Sequence, residues 1–231
     1  MTLYEAIQER HSVRSFIDKP IPEDAAKALK NYIDGLNDES GLHMQLVLNE
    51  PKAFGSRFSS YGMFRNCSNY IVMAGRPSRC FEDTIGYYGE LVVLYAQTLG
   101  LNTCWVGLTY RKVQGVFTLA EGEKIACVIA LGHGTSALGV SHRIRSIEEV
   151  SNLREGHPEW FRQGVEAALL APTAVNQQKF RFELQDDLQT IKALPGRSLA
   201  GYTRIDLGIA RCHFDIAVTH FAGDSARYNW V

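Results

Sequence analysis

Ile125-Ala126-Cys127-Val128-Ile129-Ala130-Leu131 is an unbroken apolar run of strand length. A strand with both faces apolar suits the middle of a sheet covered on both sides. Upstream, Thr103 to Val106 reads as a third short strand, about Glu82 to Leu99 as a long, largely buried helix, and Tyr70 to Ala74 as a second strand. Downstream the pattern breaks into a loop from about Gly134 to Ser146. Ser146-x-x-Glu149 then has the form of a capping box opening a short helix. Helices and strands are therefore interspersed, and the class is α+β.

Towards the N-terminus, Pro20-Ile21-Pro22 can open a helix, with Ala25, Leu29, Ile33 and Leu36 on one face and Gly35 to Gly41 ending it. Leu42, Met44, Leu46 and Leu48 alternate with His43, Gln45, Val47 and Asn49, which predicts a strand with one better-buried face. A second helix, turn and strand share the same plan from about Pro158 to Leu184, with the helix reaching about Leu170 and the strand covering Phe180 to Leu184. A second long helix spans about Ile205 to Phe221. The likeness of Pro22–Leu48 to Pro158–Leu184 predicts an internal duplication, with two related halves, 1–153 and 154–231, sharing one core.

The chain has 231 residues, 45% hydrophobic and 21% charged, enough to bury a full core, and its net charge of −1 gives no electrostatic reason to expect nucleic acid or an acidic membrane as partner. Five widely spaced cysteines form no C-x-x-C pair, which points to a reducing compartment. No run approaches the ~18 apolar residues of a membrane span. The first ten residues carry Glu5 and Glu9 where a signal peptide needs an apolar core, so a cytoplasmic protein is expected.

Arg10-His11-Ser12-Val13-Arg14 carries the most specific chemistry. In an extended stretch Arg10, Ser12 and Arg14 point to one side, so two guanidinium forks flank a hydroxyl, a set suited to a phosphate. A solvated basic turn after the first helix fits that spacing equally well. His142-Arg143-Ile144-Arg145 repeats the pairing of arginines, and by itself reads as surface charge. Gly132-His133-Gly134-Thr135-Ser136-Ala137 has dinucleotide-fingerprint spacing, but Leu138-Gly139-Val140-Ser141 is a poor helix start and no acidic residue occurs at the required distance, so it reads as a turn. The histidines show no metal-binding spacing, and none is assigned to a metal. Cys104, in an apolar strand, is expected to be buried and inert, and His213 and His220 to be packing or surface residues.

Five stretches together resemble the nitroreductase family of FMN-dependent oxidoreductases. Arg10-His11-Ser12-Val13-Arg14-Ser15-Phe16 is similar to its R-x-S-x-R-x-F opening. Gly100-Leu101-Asn102-Thr103-Cys104-Trp105-Val106-Gly107 resembles G-L-G-x-x-W-I-G. Leu119-x-x-Gly122 through Gly132 resembles the central strand, and Arg143 to Val150 the segment after that strand. Ala171-Pro172-Thr173-Ala174-Val175-Asn176-Gln177-Gln178 resembles the A-P-S-A-x-N-x-Q loop. The resemblance implies a nitroreductase-like mixed sheet flanked by helices. It implies FMN held by Arg10, His11, Ser12 and Arg14, by Trp105, Val106, Gly107 and Leu108 against the ring, by Arg143 and Arg145 at the phosphate, and by Pro172, Thr173, Ala174 and Asn176 over the ring. Arg14 is the candidate charge beside the flavin N1 and O2 edge, and no residue is nominated as catalytic acid or base.

In ordinary members the A-P-S-A-x-N-x-Q loop comes after the first core helix, here near residue 37, where nothing like it occurs. Its place in the second half matches the duplicated branch of the family, in which one chain mimics the homodimer. A monomer is then self-sufficient, with further self-association still open, and the missing second R-x-S-x-R implies one flavin per chain. The implied activity passes reducing equivalents from NAD(P)H through FMN to a nitroaromatic, quinone or other flat small-molecule acceptor by ping-pong kinetics. The alternative is a flavin- or phosphate-ligand-binding protein with little turnover.

Overall fold

The computed structural model describes residues 1–55, 64–135, 144–198 and 201–231. The element order is α1 (Leu3–Glu9), α2 (Glu23–Ser40), β1 (Gln45–Val47), β2 (Asn69–Gly75), α3 (Phe81–Thr98), β3 (Asn102–Val106), β4 (Lys124–Gly132), α4 (Ile147–Val150), α5 (Glu159–Ala168), β5 (Phe180–Leu184), β6 (Thr190–Pro195), α6 (Thr203–Ala222) and β7 (Asn229–Trp230). The chain divides into two compact units. One contains Met1–Gln8, Glu82–Glu90 and Ser141–Val231, the other Glu9–Phe81 and Leu91–Val140.

In the second of these units, a four-stranded antiparallel sheet runs in the order β1-β2-β4-β3. The apolar run 125–131 lies in β4, between β2 and β3, as a two-faced strand should. All seven residues of β2 are buried. One sheet face, with Tyr70, Val72, Val128 and Ala130, packs into a core with Phe16 and Phe54. α2 carries Leu29, Ile33 and Leu36 inward, and Tyr32 stacks on Tyr95 of α3 at 4.2 Å.

α2 runs through Gly35 and ends where the Gly35–Gly41 stretch was expected to end it, capped by Gly41 in the left-handed region at φ 70°. One local expectation is corrected. The strand expected over Leu42 to Leu48 is only Gln45–Val47, and its burial alternation slips: Leu42, Met44 and Val47 are buried while Leu48 is exposed. The Asn37 side chain bonds both the N–H and the carbonyl of Met44 at 2.8 and 2.9 Å, while the neighbouring His43 N–H still donates to the Ala74 carbonyl of β2 at 2.8 Å. At the far end Asn49 turns left-handed at φ 56°.

In the other unit, β5, β6 and β7 form a small mixed sheet, β5 antiparallel and β7 parallel to β6. Phe161 of α5, Phe182 of β5, Phe214 of α6 and Trp230 of β7 build an aromatic core whose ring centroids lie 5.0 to 5.9 Å apart. The segment Glu82–Glu90 of α3 lies directly against α6. A Cβ on Gly86 would collide with the Ile205 carbonyl, and one on Gly208 with the Asp83 carbonyl. These two glycines let the backbones touch.

Two polar clusters sit in this apolar setting. His213, fully buried, bonds Glu90 Oε1 through Nε2 at 2.9 Å and the Ala167 carbonyl through Nδ1 at 3.2 Å. Asp215 accepts from the Tyr87 hydroxyl, the Tyr228 hydroxyl and the Trp230 indole at 3.0, 2.6 and 2.9 Å. Burial raises the Asp215 carboxyl above its usual range, and those three donors oppose the rise.

The capping box at Ser146 is formed: the Ser146 N–H donates to Glu149 at 2.9 Å, and the Ser146 side chain accepts from the backbone at that position. Ser146→Ala should cost about 1 kcal/mol, read as a shift of the denaturant midpoint with an unchanged slope; an unshifted midpoint would show that the cap contributes nothing.

Candidate functional site

The stretch Arg10–Phe16 is held extended by main-chain bonds on both sides. Ser12 forms a parallel bridge to Thr103 of β3, and the Val13 N–H donates to the Thr103 carbonyl at 2.9 Å. Arg65 N–H donates to the Arg14 carbonyl at 2.9 Å, and Phe16 N–H to the Arg65 carbonyl at 3.0 Å. Val13 and Phe16 point into the core and fix the register. Ser12 and Arg14 are exposed, while Arg10 and His11 are half-buried.

Cys104 of β3 feels several of these side chains. It is 2% exposed, and burial pushes its thiol up, opposed by the charges of Arg14 and Arg10 and by the Ser12 hydroxyl. The charges of Arg10 and Arg14 and the Ser12 hydroxyl thus all act on Cys104 of β3. The raised thiol agrees with an inert structural cysteine. His11 Nδ1 lies 3.4 Å from the Glu9 carbonyl, and its buried Nε2 has no hydrogen-bond partner among the described residues.

The donor set suits a phosphate monoester: two delocalised cations, a hydroxyl, and no carboxylate within Arg10–Ile17. Trp105 and Gly107 are half-buried, Val106 is buried, and Leu108 is 76% exposed just beyond the end of β3. An apolar side chain held in solvent at a strand end is the kind of surface a flat ring can cover.

The remaining sequence-predicted residues belong to the other compact unit. Arg143 lies outside the described residues. Arg145 is half-buried; its N–H donates to Gln178 Oε1 at 2.8 Å and its guanidinium stands 4.0 Å from Glu149. Pro172, Thr173, Ala174 and Asn176 are half-buried in a loop containing a single 3-10 turn, Ala174–Asn176. Val175, Asn176 and Gln178 have φ of 47°, 52° and 46°, and Val175 is 87% exposed. A left-handed β-branched residue is a backbone outlier that needs outside support.

A family model described as "Putative TM nitroreductase" matches residues 2–218. The chain belongs to this nitroreductase family. No curated protein matches it. Among solved structures it is similar to a "putative nitroreductase" from Thermotoga maritima, at 21% identity and TM-score 0.67, covering 95% of this chain and 85% of that one. It is also similar to a protein of Parabacteroides distasonis described as "Putative NADH dehydrogenase/NAD(P)H nitroreductase", at 18% identity and TM-score 0.51, covering 67% and 98% of the two chains. NfrA1 nitroreductase of Bacillus subtilis is similar at 14% identity and TM-score 0.52, covering 67% and 74%. These likenesses are likenesses of nitroreductase fold.

Sequence reasoning missed the residues that support the A-P-T-A-V-N-Q-Q loop of this nitroreductase-family chain. Asp206 is 2% exposed, and its carboxylate accepts from the Ala174 N–H at 2.9 Å and the Gln177 amide at 2.6 Å. A signal was present: Asp206 interrupts the apolar run Ile205-Asp206-Leu207-Gly208-Ile209, and a carboxylate on a buried helix face requires partners. Among the described residues no helix is long and apolar enough to cross a membrane, and no cluster of metal-ligating side chains occurs.

Proposed function

We propose that the chain is an FMN-dependent oxidoreductase of nitroreductase type, taking reducing equivalents from NAD(P)H and passing them to a small flat acceptor such as a nitroaromatic or a quinone. The observation that carries the reading is the extended stretch holding Arg10, Ser12 and Arg14, bridged to Thr103 through Ser12, at the opening motif of a nitroreductase-family chain. Bound FMN would supply two-electron chemistry that can be run with one substrate and then reversed with another.

The chain's own residues have a simpler task. Arg10 and Ser12 bind the phosphate, since a doubly charged group gains most from fixed charge-assisted donors. Arg14 keeps positive charge close to that same edge of β3, and Trp105 to Leu108 give the ring an apolar wall at the strand end. No acid or base is assigned, because none of these side chains is placed to move a proton.

The purified protein decides the matter. A yellow protein bleached by NADH or NADPH under anaerobic conditions, and restored by a quinone or nitroaromatic, is the expected result. A yellow protein inert to both nicotinamides would instead make it a flavin-binding protein. A colourless one that refuses added FMN would end both readings.

A further inference from the structure

The loop Thr173–Gln178 is held in a conformation its own sequence does not favour. Val175 sits at φ 47°, ψ 28°, a region that a branched side chain enters only under constraint. Its side chain is nevertheless almost wholly in solvent, so packing of that side chain does not hold it there. The constraint comes from bonds around it. Asp206 takes the Ala174 N–H and the Gln177 side-chain amide, the Thr173 hydroxyl takes the Gln178 N–H at 2.9 Å, and the Gln178 amide donates to the Leu169 carbonyl at 3.0 Å.

Only one of these partners can change its charge. The segment Pro172–Gln178 contains no ionisable side chain. Beside it, Lys179 is next in sequence and Arg145 contributes its backbone N–H to Gln178. On α6 the nearest ionisable neighbour in sequence is Arg204, which pairs with Asp83 of α3 at 3.0 Å. Asp206 is therefore the group whose protonation state sets the bonds available to the loop.

We propose that Asp206 is a latch: its carboxylate holds the Thr173–Gln178 loop in the left-handed conformation that presents Val175 to solvent, and uptake of a proton by that carboxylate releases the loop. The ionised group offers two acceptors to two donors. The protonated group has a hydroxyl facing the NH2 of Gln177, and that clash is relieved only if the Gln177 amide turns over. Turning it surrenders the bond from Gln177 Nε2 to the Gly201 carbonyl, now 3.3 Å. The proton thus rewires the loop's contact with a second segment as well.

The working range falls near neutrality. Burial raises the Asp206 carboxyl from 3.8 to about 6, against the opposing pull of the Ala174 N–H and the Gln177 amide. Because the folded value lies above the unfolded one, the stability contributed by this group is full below about 3.8 and is lost as pH rises through about 6. Above that pH the chain keeps a buried charge that weakens the fold as a whole while fixing this loop, the trade found where strain serves a function.

The test uses the whole isotopically labelled protein and does not depend on the flavin reading, so the failure of one leaves the other standing. The Ala174 backbone amide and the Gln177 side-chain amide should titrate together in NMR spectra, with a midpoint near pH 6, and both should be flat in Asp206→Asn. In Asp206→Ala, exchange of the Ala174 amide at pH 7.5, corrected for its intrinsic rate, should rise at least roughly tenfold, the loss of one net hydrogen bond. A wild-type Ala174 amide that stays flat from pH 4.5 to 7.5 would overturn the proposal. Should Asp206→Ala fail to fold by near-ultraviolet circular dichroism, the wild-type and Asp206→Asn titrations decide alone.

Discussion

Arg10→Ala/Arg14→Ala is expected to weaken FMN binding by roughly 10²- to 10⁴-fold. Each arginine supplies charge-assisted bonds to the flavin nucleotide, Arg10 at the phosphate and Arg14 at the ring edge, worth about 1.5–3 kcal/mol, and every 1.4 kcal/mol is a factor of ten. The fold should survive, because the register of the stretch is set by Val13, Phe16 and main-chain bonds to Thr103 and Arg65, and not by the guanidinium groups. Titration monitored by flavin fluorescence measures the loss. Riboflavin is the internal control: lacking the phosphate, it should bind the parent and the single variant Arg10→Ala alike. Undiminished FMN affinity in the double variant would remove these arginines from the flavin site.

The second large effect concerns the fold. Gly208→Ala should destabilise the unit containing α6 by about 3 kcal/mol or more, the upper end of overpacking costs, because the new methyl meets the Asp83 carbonyl, and the Tyr87 backbone nitrogen at 2.8 Å, with no side chain able to yield. For a chain of this size that is a fall in melting temperature of roughly 6–12 °C. Trp160 and Trp230 lie in the same unit, so their fluorescence reports the transition. Gly156→Ala is a useful contrast: that position, unlike the helical Gly208, is left-handed, at φ 89°, and has open space for a methyl, so it tests backbone strain without a collision. Equal melting temperatures for parent and Gly208→Ala would show that α3 and α6 separate freely there.

The elements legible in the sequence were those fixed by local pattern. The strand Phe180–Leu184 and the capping box at Ser146 depend on residues within five positions of one another. The run at 125–131 announced a central strand because both its faces are apolar. The hidden elements depend on distant partners. Thr190–Pro195 buries little besides Ile191 and ends in a proline, so nothing in it alternates; it is a strand because β5 and β7 pair with it. β7 is two residues long and carries no period at all. The alternation of Leu42 to Leu48 misled because the buried side of the segment changes from Leu42 and Met44 to Val47 along its length.

The candidate site divides the same way. Arg10, Ser12 and Arg14 could be picked out because their chemistry and spacing lie within five residues. Asp206 could not be matched to its loop, because its donors at Ala174 and Gln177 are about thirty positions earlier, and a lone acid in a helix says only that it needs partners. The shared lesson of Asn37 and Asp206 is physical: a polar side chain that bonds a distant main chain acts where it lands, not where it is written.

The Glu90–His213 pair limits how this core can vary. The Ala167 carbonyl can only accept, so the Nδ1 of His213 must carry hydrogen, and a single mobile hydrogen is left between Nε2 and the Glu90 carboxyl. Wherever that hydrogen rests, the two side chains together sum to zero charge, which is what lets an acid and a base occupy a dry interior. They therefore form one indivisible neutral part. Glutamine at position 90 could take over, offering an N–H to Nε2, whereas a hydrocarbon there would take this bond from the buried Nε2 of His213, so substitutions at position 90 are confined to those that preserve the pattern of donors and acceptors.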